Sequence, residues 1–203
     1  DRMKADGFGW WIRRIDGAGK LYDVIRIDHF RGFDSYWEIP KGAKTAMEGC
    51  WREGPGMKLL DAIRAAVPEA EFIAEDLGDL TASAYRFIQT SGLPGMRVLT
   101  DAFHDLSGSS SFLPHHCVPG AVIYTGTHDT PTFVGWLFEQ ASEEQRRYAI
   151  DYLRLREDEG FGWGVIAGAW GSVCDLAMAP FQDVLGLGND ARMNLPGTAG
   201  DGN

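Results

Sequence analysis

Short, unbroken apolar runs alternate along this chain with longer stretches whose apolar residues recur at helical spacing. Each of five runs leads to an acid: Val24–Ile27 to Asp28, Glu71–Ala74 to Glu75 and Asp76, and Arg97–Thr100 to Asp101. Ala121–Thr127 leads to His128 and Asp129, and Leu176–Gln182 to Asp183. Runs of this kind suit strands covered on both faces, as in a parallel sheet. Between them, Leu59, Leu60, Ile63 and Val67 fall on one side of a helix over Lys58–Val67, which Pro68 ends. Thr81 is placed to cap a helix over Ala82–Ser91, with Gly92 and Pro94 as its exit. Ser142 and the acids Glu143 and Glu144 open a helix to Glu157, carrying Tyr148, Tyr152 and Leu155 along one side. Trp163–Cys174 reads as a further helix, weakened by Gly164, Gly168 and Gly171. Strand then helix, several times over, predicts an α/β fold of βα units.

The interval from Asp28 to Glu75 is too long for one helix. It contains Gly42, Gly49, Gly54, Pro55 and Gly56, so an extended loop is expected after the first strand. Loops in that position form the active face of a (β/α)8 TIM barrel, which takes about 250 residues. The chain has 203 residues and five candidate strands. It therefore reads as the C-terminal part of a barrel, about strands 4 to 8. Residues 1–203 are expected to form one partial catalytic barrel, truncated at both ends. The opening DRMKAD and the closing GTAGDGN both look cut.

Composition narrows the partners. Hydrophobic residues make up 44% of the chain, enough for a sizeable core. The net charge of −10 argues against nucleic acid or an anionic membrane, since both favour basic surfaces. A neutral ligand suits it better. Cys50, Cys117 and Cys174 lie far apart in sequence, odd in number and without metal-ligand spacing, so reduced thiols are expected, in the cytoplasm or a plastid stroma. No apolar run reaches membrane-spanning length, and no signal-peptide pattern opens the chain.

Candidate chemistry concentrates in Asp23–Pro40, DVIRIDHFRGFDSYWEIP. Asp28 lies two residues after Arg26, on the same face of a strand, beside His29 and Arg31. The neighbouring cation should keep it ionised, as a nucleophile requires. Glu75 is followed by Asp76, and if one of two adjacent acids faces a desolvated pocket it can serve as a proton donor. Asp129 closes Tyr124-Thr125-Gly126-Thr127-His128-Asp129, too rich in hydrogen-bonding groups for a core strand and suited to a pocket wall. Asp76, Asp101 and Asp183 read as helix caps. Two carboxyls about 5–5.5 Å apart support double displacement at a sugar carbon. Tyr36, Trp37 and Trp51 offer flat rings to sugar faces, although large aromatics also bury readily. His115-His116 reads as loop packing, and Ser107–Ser111 as a flexible polar linker without the G-x-S-x-G of a nucleophile elbow.

RIDHFRGF, YWEIPKGAKTAMEGCWREGPG, FIAEDLG, GLPGMRVL, YTGTHDTPTFVGW and RMNLPGT together resemble the amylomaltase, or 4-α-glucanotransferase (disproportionating enzyme), family of the α-amylase clan. The resemblance implies a TIM barrel acting on α-1,4-glucans and maltooligosaccharides, with no metal or organic cofactor. It implies that Asp28 is the nucleophile, Glu75 the general acid/base, and Asp129 a carboxylate holding sugar hydroxyls in a distorted, oxocarbenium-like transition state. It implies that Arg26 orients the nucleophile, that His128 contacts the same sugar, and that Tyr36 and Trp37 lie on the acceptor side. Thr130 stands where the family often has Asn. An α-glucan hydrolase, a non-catalytic glucan-binding module and a metal-dependent hydrolase built on His128 remain as alternatives. The truncated piece alone is expected to be inactive.

Overall fold

The computed structural model describes residues 2–198, which divide into two units at the Gly95–Met96 junction. Each is a mixed α/β arrangement in which parallel strands are covered by helices.

In the first unit, α1 (Arg2–Ala5) and α2 (Gly9–Gly19) precede β1 (Val24–Ile27). A hairpin follows, β2 (Ser35–Glu38) paired antiparallel with β3 (Cys50–Glu53), and then α3 (Met57–Ala66), β4 (Glu71–Ala74) and α4 (Ala82–Ser91). β1 and β4 pair in parallel, Val24 opposite Glu71 through Ile27 opposite Ala74. Ile25, Ile27, Phe72 and Ala74 turn to one side of this pair, into a cluster with Ile15, Leu59, Leu60, Ile63 and Phe87. Arg26 and Ile73 alternate to the other side. Thr81 caps α4 as expected, its hydroxyl accepting the Ala84 N–H at 3.2 Å, and Gly92 closes that helix in the left-handed conformation.

In the second unit, β5 (Gly95–Val98, which enters this unit at Met96), β6 (Ala121–Tyr124) and β7 (Leu176–Met178) form one sheet in that order. The helices are α5 (Leu99–Ala102), α6 (Phe133–Gly135) continuing into a π turn at Trp136–Gln140, α7 (Glu143–Leu153), α8 (Phe161–Trp170) and α9 (Phe181–Val184). Ser142 and Gln145 form a reciprocal capping box at the start of α7. Leu99, Phe103, Ile123, Phe133, Leu137 and Val165 form a cluster without solvent exposure.

Several expectations need correction. The third run ends as a strand at Val98, because Leu99 and Ala102 turn helically into the core beside Phe103. The fourth ends at Tyr124, with one further ladder bond from Thr125 N–H to the Met178 carbonyl. The fifth ends at Met178, because Pro180, lacking an N–H, starts α9. Asp183 thus lies inside a helix, fully buried, and is neither at a strand tip nor an N-cap. The helices expected to reach Glu157 and Cys174 stop at Leu153 and Trp170. Cys117 and Cys174 meet in space despite their separation in sequence, and burial together with the Cys174 contact pushes the Cys117 thiol up to about 12.

Asp183 carries a pH dependence. Its carboxylate accepts from the Thr125 hydroxyl at 2.6 Å and the Phe133 N–H at 2.7 Å. Burial nevertheless raises its pKa above the ordinary 3.8, outweighing these bonds. The folded chain then holds this proton more tightly than the unfolded chain. The associated stability is complete below pH 3.8 and declines as pH rises through the folded value. Asp183→Asn, neutral throughout, is expected to flatten that decline by up to about 1.4 kcal/mol per pH unit. Denaturant unfolding of both forms across a pH series checks it.

Candidate active site

The parallel pairing of β1 with β4 carries two acids to one end. Beyond Ile27 opposite Ala74, the ladder continues with the Glu75 N–H donating to the Ile27 carbonyl at 2.9 Å and the Phe30 N–H to the Glu75 carbonyl at 3.1 Å. Asp28 and Glu75 are the next positions on adjacent strands, whose spacing is about 4.8 Å. Both follow the C-terminal ends of their strands, on the side of the sheet that Arg26 occupies.

Each carboxylate is held differently. Arg26 Nη2 donates to Asp28 Oδ1, as the two-residue spacing suggests. The arginine is mostly covered, whereas the Asp28 side chain is 78% exposed and open to an incoming group. Glu75 is held by backbone: Oε2 accepts the His29 N–H and Oε1 the Leu77 N–H, both at 2.8 Å. His29 adopts a left-handed conformation (φ 46°), uncommon for a residue with a side chain. Gly32 faces its ring, and a Cβ there would lie 3.1 Å from His29 Cδ2. Phe30 and Phe33 anchor this turn in the core. The compact RIDHFRGF segment thus holds the nucleophile candidate and also clamps the acid/base candidate.

The loop expected after β1 is the β2–β3 hairpin. Its alternation sends Tyr36 and Trp37 to opposite faces, so they do not form one platform. Trp37 lies opposite Trp51, ring centroids 5.3 Å apart and edge to face, and its Nε1–H donates to the Ala46 carbonyl at 2.8 Å. Gly49 is needed there, since a Cβ would fall 2.3 Å from Trp37 Nε1. Tyr36 instead lines a cavity of about 450 Å³ with Phe8, Trp11, Glu53 and Lys58.

In the second unit, Asp129 follows β6 at the C-terminal end of its strand. Thr130 closes the connecting turn, its hydroxyl accepting the Thr127 N–H at 2.8 Å and donating to the Thr127 carbonyl at 3.1 Å. His128 Nε2 lies 3.1 Å from Asp129 Oδ2. Asn194 Nδ2 donates to Asp129 Oδ1, and Arg192 to its carbonyl. Arg192 and Asn194 went unassigned at the level of sequence, although they belong to the RMNLPGT block. The fold brings both against Asp129. Among the described residues, no group of three His, Cys, Asp or Glu side chains is arranged to hold a metal ion. No helix among them is long and apolar enough to cross a membrane.

A family model described as 4-alpha-glucanotransferase matches residues 1–203. The chain belongs to the 4-alpha-glucanotransferase family. A 4-alpha-glucanotransferase of Clostridium butyricum is 45% identical over 196 residues, covering 97% of this chain and 40% of the relative. A chloroplastic/amyloplastic 4-alpha-glucanotransferase of Solanum tuberosum is also 45% identical over 196 residues, covering 97% of this chain and 34% of its own length. Among solved structures, amylomaltase from Streptococcus agalactiae in complex with acarbose superposes with a TM-score of 0.91 at 37% identity, covering 98% of this chain and 40% of that one. The chain therefore spans less than half the length of the relatives it matches.

Proposed function

We propose that this chain is the part of a 4-α-glucanotransferase that carries the reacting carboxylates, set on the later strands, about 4 to 8, of a (β/α)8 barrel. Asp28 attacks the anomeric carbon of an α-1,4-glucan while Glu75 protonates the departing glycosidic oxygen. The resulting β-glucosyl ester on Asp28 is then attacked by the 4-hydroxyl of a second glucan, with Glu75 removing its proton. Two inversions retain the α configuration. Arg26 orients Asp28. Asp129 and His128 bind glucan hydroxyls, with Asn194 and Arg192 steadying Asp129. Trp37 serves the acceptor side, and Tyr36, on the opposite hairpin face, takes part only through its own cavity. Maltooligosaccharides are the substrates, and the cytoplasm or plastid stroma is the compartment; the plastid reading draws support from the name of the Solanum relative.

The observation that carries this reading is the adjacency of Asp28 and Glu75 beyond Ile27 opposite Ala74, one carboxylate held by a guanidinium and the other by two backbone N–H groups. Adjacent strands lie about 4.8 Å apart, which lets two carboxyls at their ends reach the separation of about 5–5.5 Å used by retaining enzymes. Maltotriose incubated with the full-length gene product is expected to yield a ladder of longer oligomers. Glucose and maltose alone would point to hydrolysis and overturn the transferase reading.

A further inference from the structure

Arg31 takes part in no step of this reaction, yet it joins three pieces of the first unit. It lies in the turn Phe30–Phe33, three positions after Asp28. Its Nη1 donates to the carbonyl of Asp79, in the loop that begins with Glu75. Its guanidinium also sits over the Trp51 ring, 4.8 Å from the centroid. Trp51 in turn meets Trp37 edge to face, and Trp37 is tied to Ala46 on the connecting loop of the hairpin. Nε and Nη2 of Arg31 are shielded from solvent and find no hydrogen-bond partner among the described residues. The hydrogen bond to Asp79 and the stacking on Trp51 are the contacts that hold this side chain.

Resting on the transferase reading, we infer that Arg31 is a positioning residue for the acceptor glucan: it fixes the Trp51 ring beside the Glu75 loop, leaving an indole face for an acceptor sugar. Trp51 remains 55% exposed, with the Arg31 guanidinium over its ring and the Trp37 ring 5.3 Å away at 72° to it. The C–H face of a pyranose packs on such a ring. An acceptor held there presents its 4-hydroxyl and displaces the water that would otherwise hydrolyse the ester. A flat ring on a hairpin attached at one end would wander; the cation stacked on it, itself tied to Asp79, holds it at a set distance from the acid/base loop. Attack on Asp28's substrate by Asp28 itself needs none of this, so loss of Arg31 should separate acceptor use from donor chemistry.

The test uses the full-length gene product with α-maltosyl fluoride as donor and glucose as acceptor, comparing wild type, Arg31→Gln, Trp51→Ala and the double variant. Wild-type transfer from maltotriose is measured first; its absence would sink the transferase reading and this inference with it. Given wild-type transfer, the acceptor KM is expected to rise about tenfold in each single variant and little further in the double, while fluoride release without acceptor stays near wild type. Arg31→Lys, which keeps a cation over the ring, should recover part of the loss. An unchanged acceptor KM in folded Arg31→Gln, or equal losses of acceptor use and fluoride release, overturns the inference while the transferase reading stands. If Arg31→Gln does not fold, Arg31→Lys and Trp51→Phe decide: a raised acceptor KM in both supports it, and wild-type values overturn it.

Discussion

Asp28→Asn in the full-length gene product is expected to lower glucan transfer by about four orders of magnitude or more, the scale seen when a nucleophile is removed. The amide is nearly the same shape as the carboxylate, but it cannot form the glucosyl ester. Substrate should still bind, because the sugar contacts assigned to Asp129 and His128 are untouched. The fold should survive, since the Asp28 side chain is 78% exposed and its partner is the single guanidinium of Arg26. Surface changes of this sort usually alter stability by no more than about 0.5 kcal/mol. A thermal melt near wild type together with lost transfer is the expected pair of results. Retained turnover would exclude Asp28 as nucleophile.

Glu75→Gln should show a different signature. Transfer from maltotriose is expected to fall about 10²–10⁴-fold, the usual contribution of a positioned acid or base. Fluoride is a good leaving group and departs without a proton donor, so ester formation from α-maltosyl fluoride should be much less affected. The ester would then accumulate, because its breakdown needs the same residue as base. Glutamine can accept only one of the two backbone N–H groups that Glu75 now accepts, from His29 and Leu77. A stability loss of about 0.5–1.5 kcal/mol is expected from the lost hydrogen bond, since water reaches the freed donor. Burst kinetics with the fluoride donor and a melting curve separate the chemical effect from the structural one. Equal losses with both donors would remove Glu75 from the acid role.

Much of the scaffold was legible because apolar runs and caps act locally. All five expected strands exist, and Ala82–Ser91 has the expected ends, fixed by Thr81 and Gly92. Strand ends were less legible, because Leu99 and Pro180 turn the chain through core contacts and ring geometry that a hydrophobic run does not reveal. The glycines of α8 weakened the expectation of a helix that is present at Phe161–Trp170. A Cβ on Gly164 or Gly168 would lie 2.5 Å from Leu155 or Leu153, and one on Gly162 would lie 2.1 Å from the Asp183 carbonyl. They weaken helix propensity but are what allows close packing. The β2–β3 hairpin was hidden in an interval read as loop, although Trp37 and Trp51 stand directly opposite in its register.

For the site, Arg26 with Asp28 was legible because two residues along a strand share a face. The clamp on Glu75 was not, since backbone N–H groups leave no mark in composition and the left-handed turn at His29 carries no glycine signal. Arg192 and Asn194 support Asp129 from more than sixty positions away, and Tyr36 parts from Trp37 only once the hairpin is known. Long-range side-chain contacts of this kind depend on the fold and cannot be read from spacing.

The central claim is that Asp28 becomes covalently glycosylated. Its most direct test is to trap the ester in the full-length gene product with a fluorinated α-glucosyl fluoride that slows the second step, then map the adduct by peptide mass spectrometry. A glycosyl adduct on Asp28, absent from Asp28→Asn, is the expected result. A label on another carboxylate, or active enzyme that turns over the natural donor with inversion and forms no adduct, would contradict it.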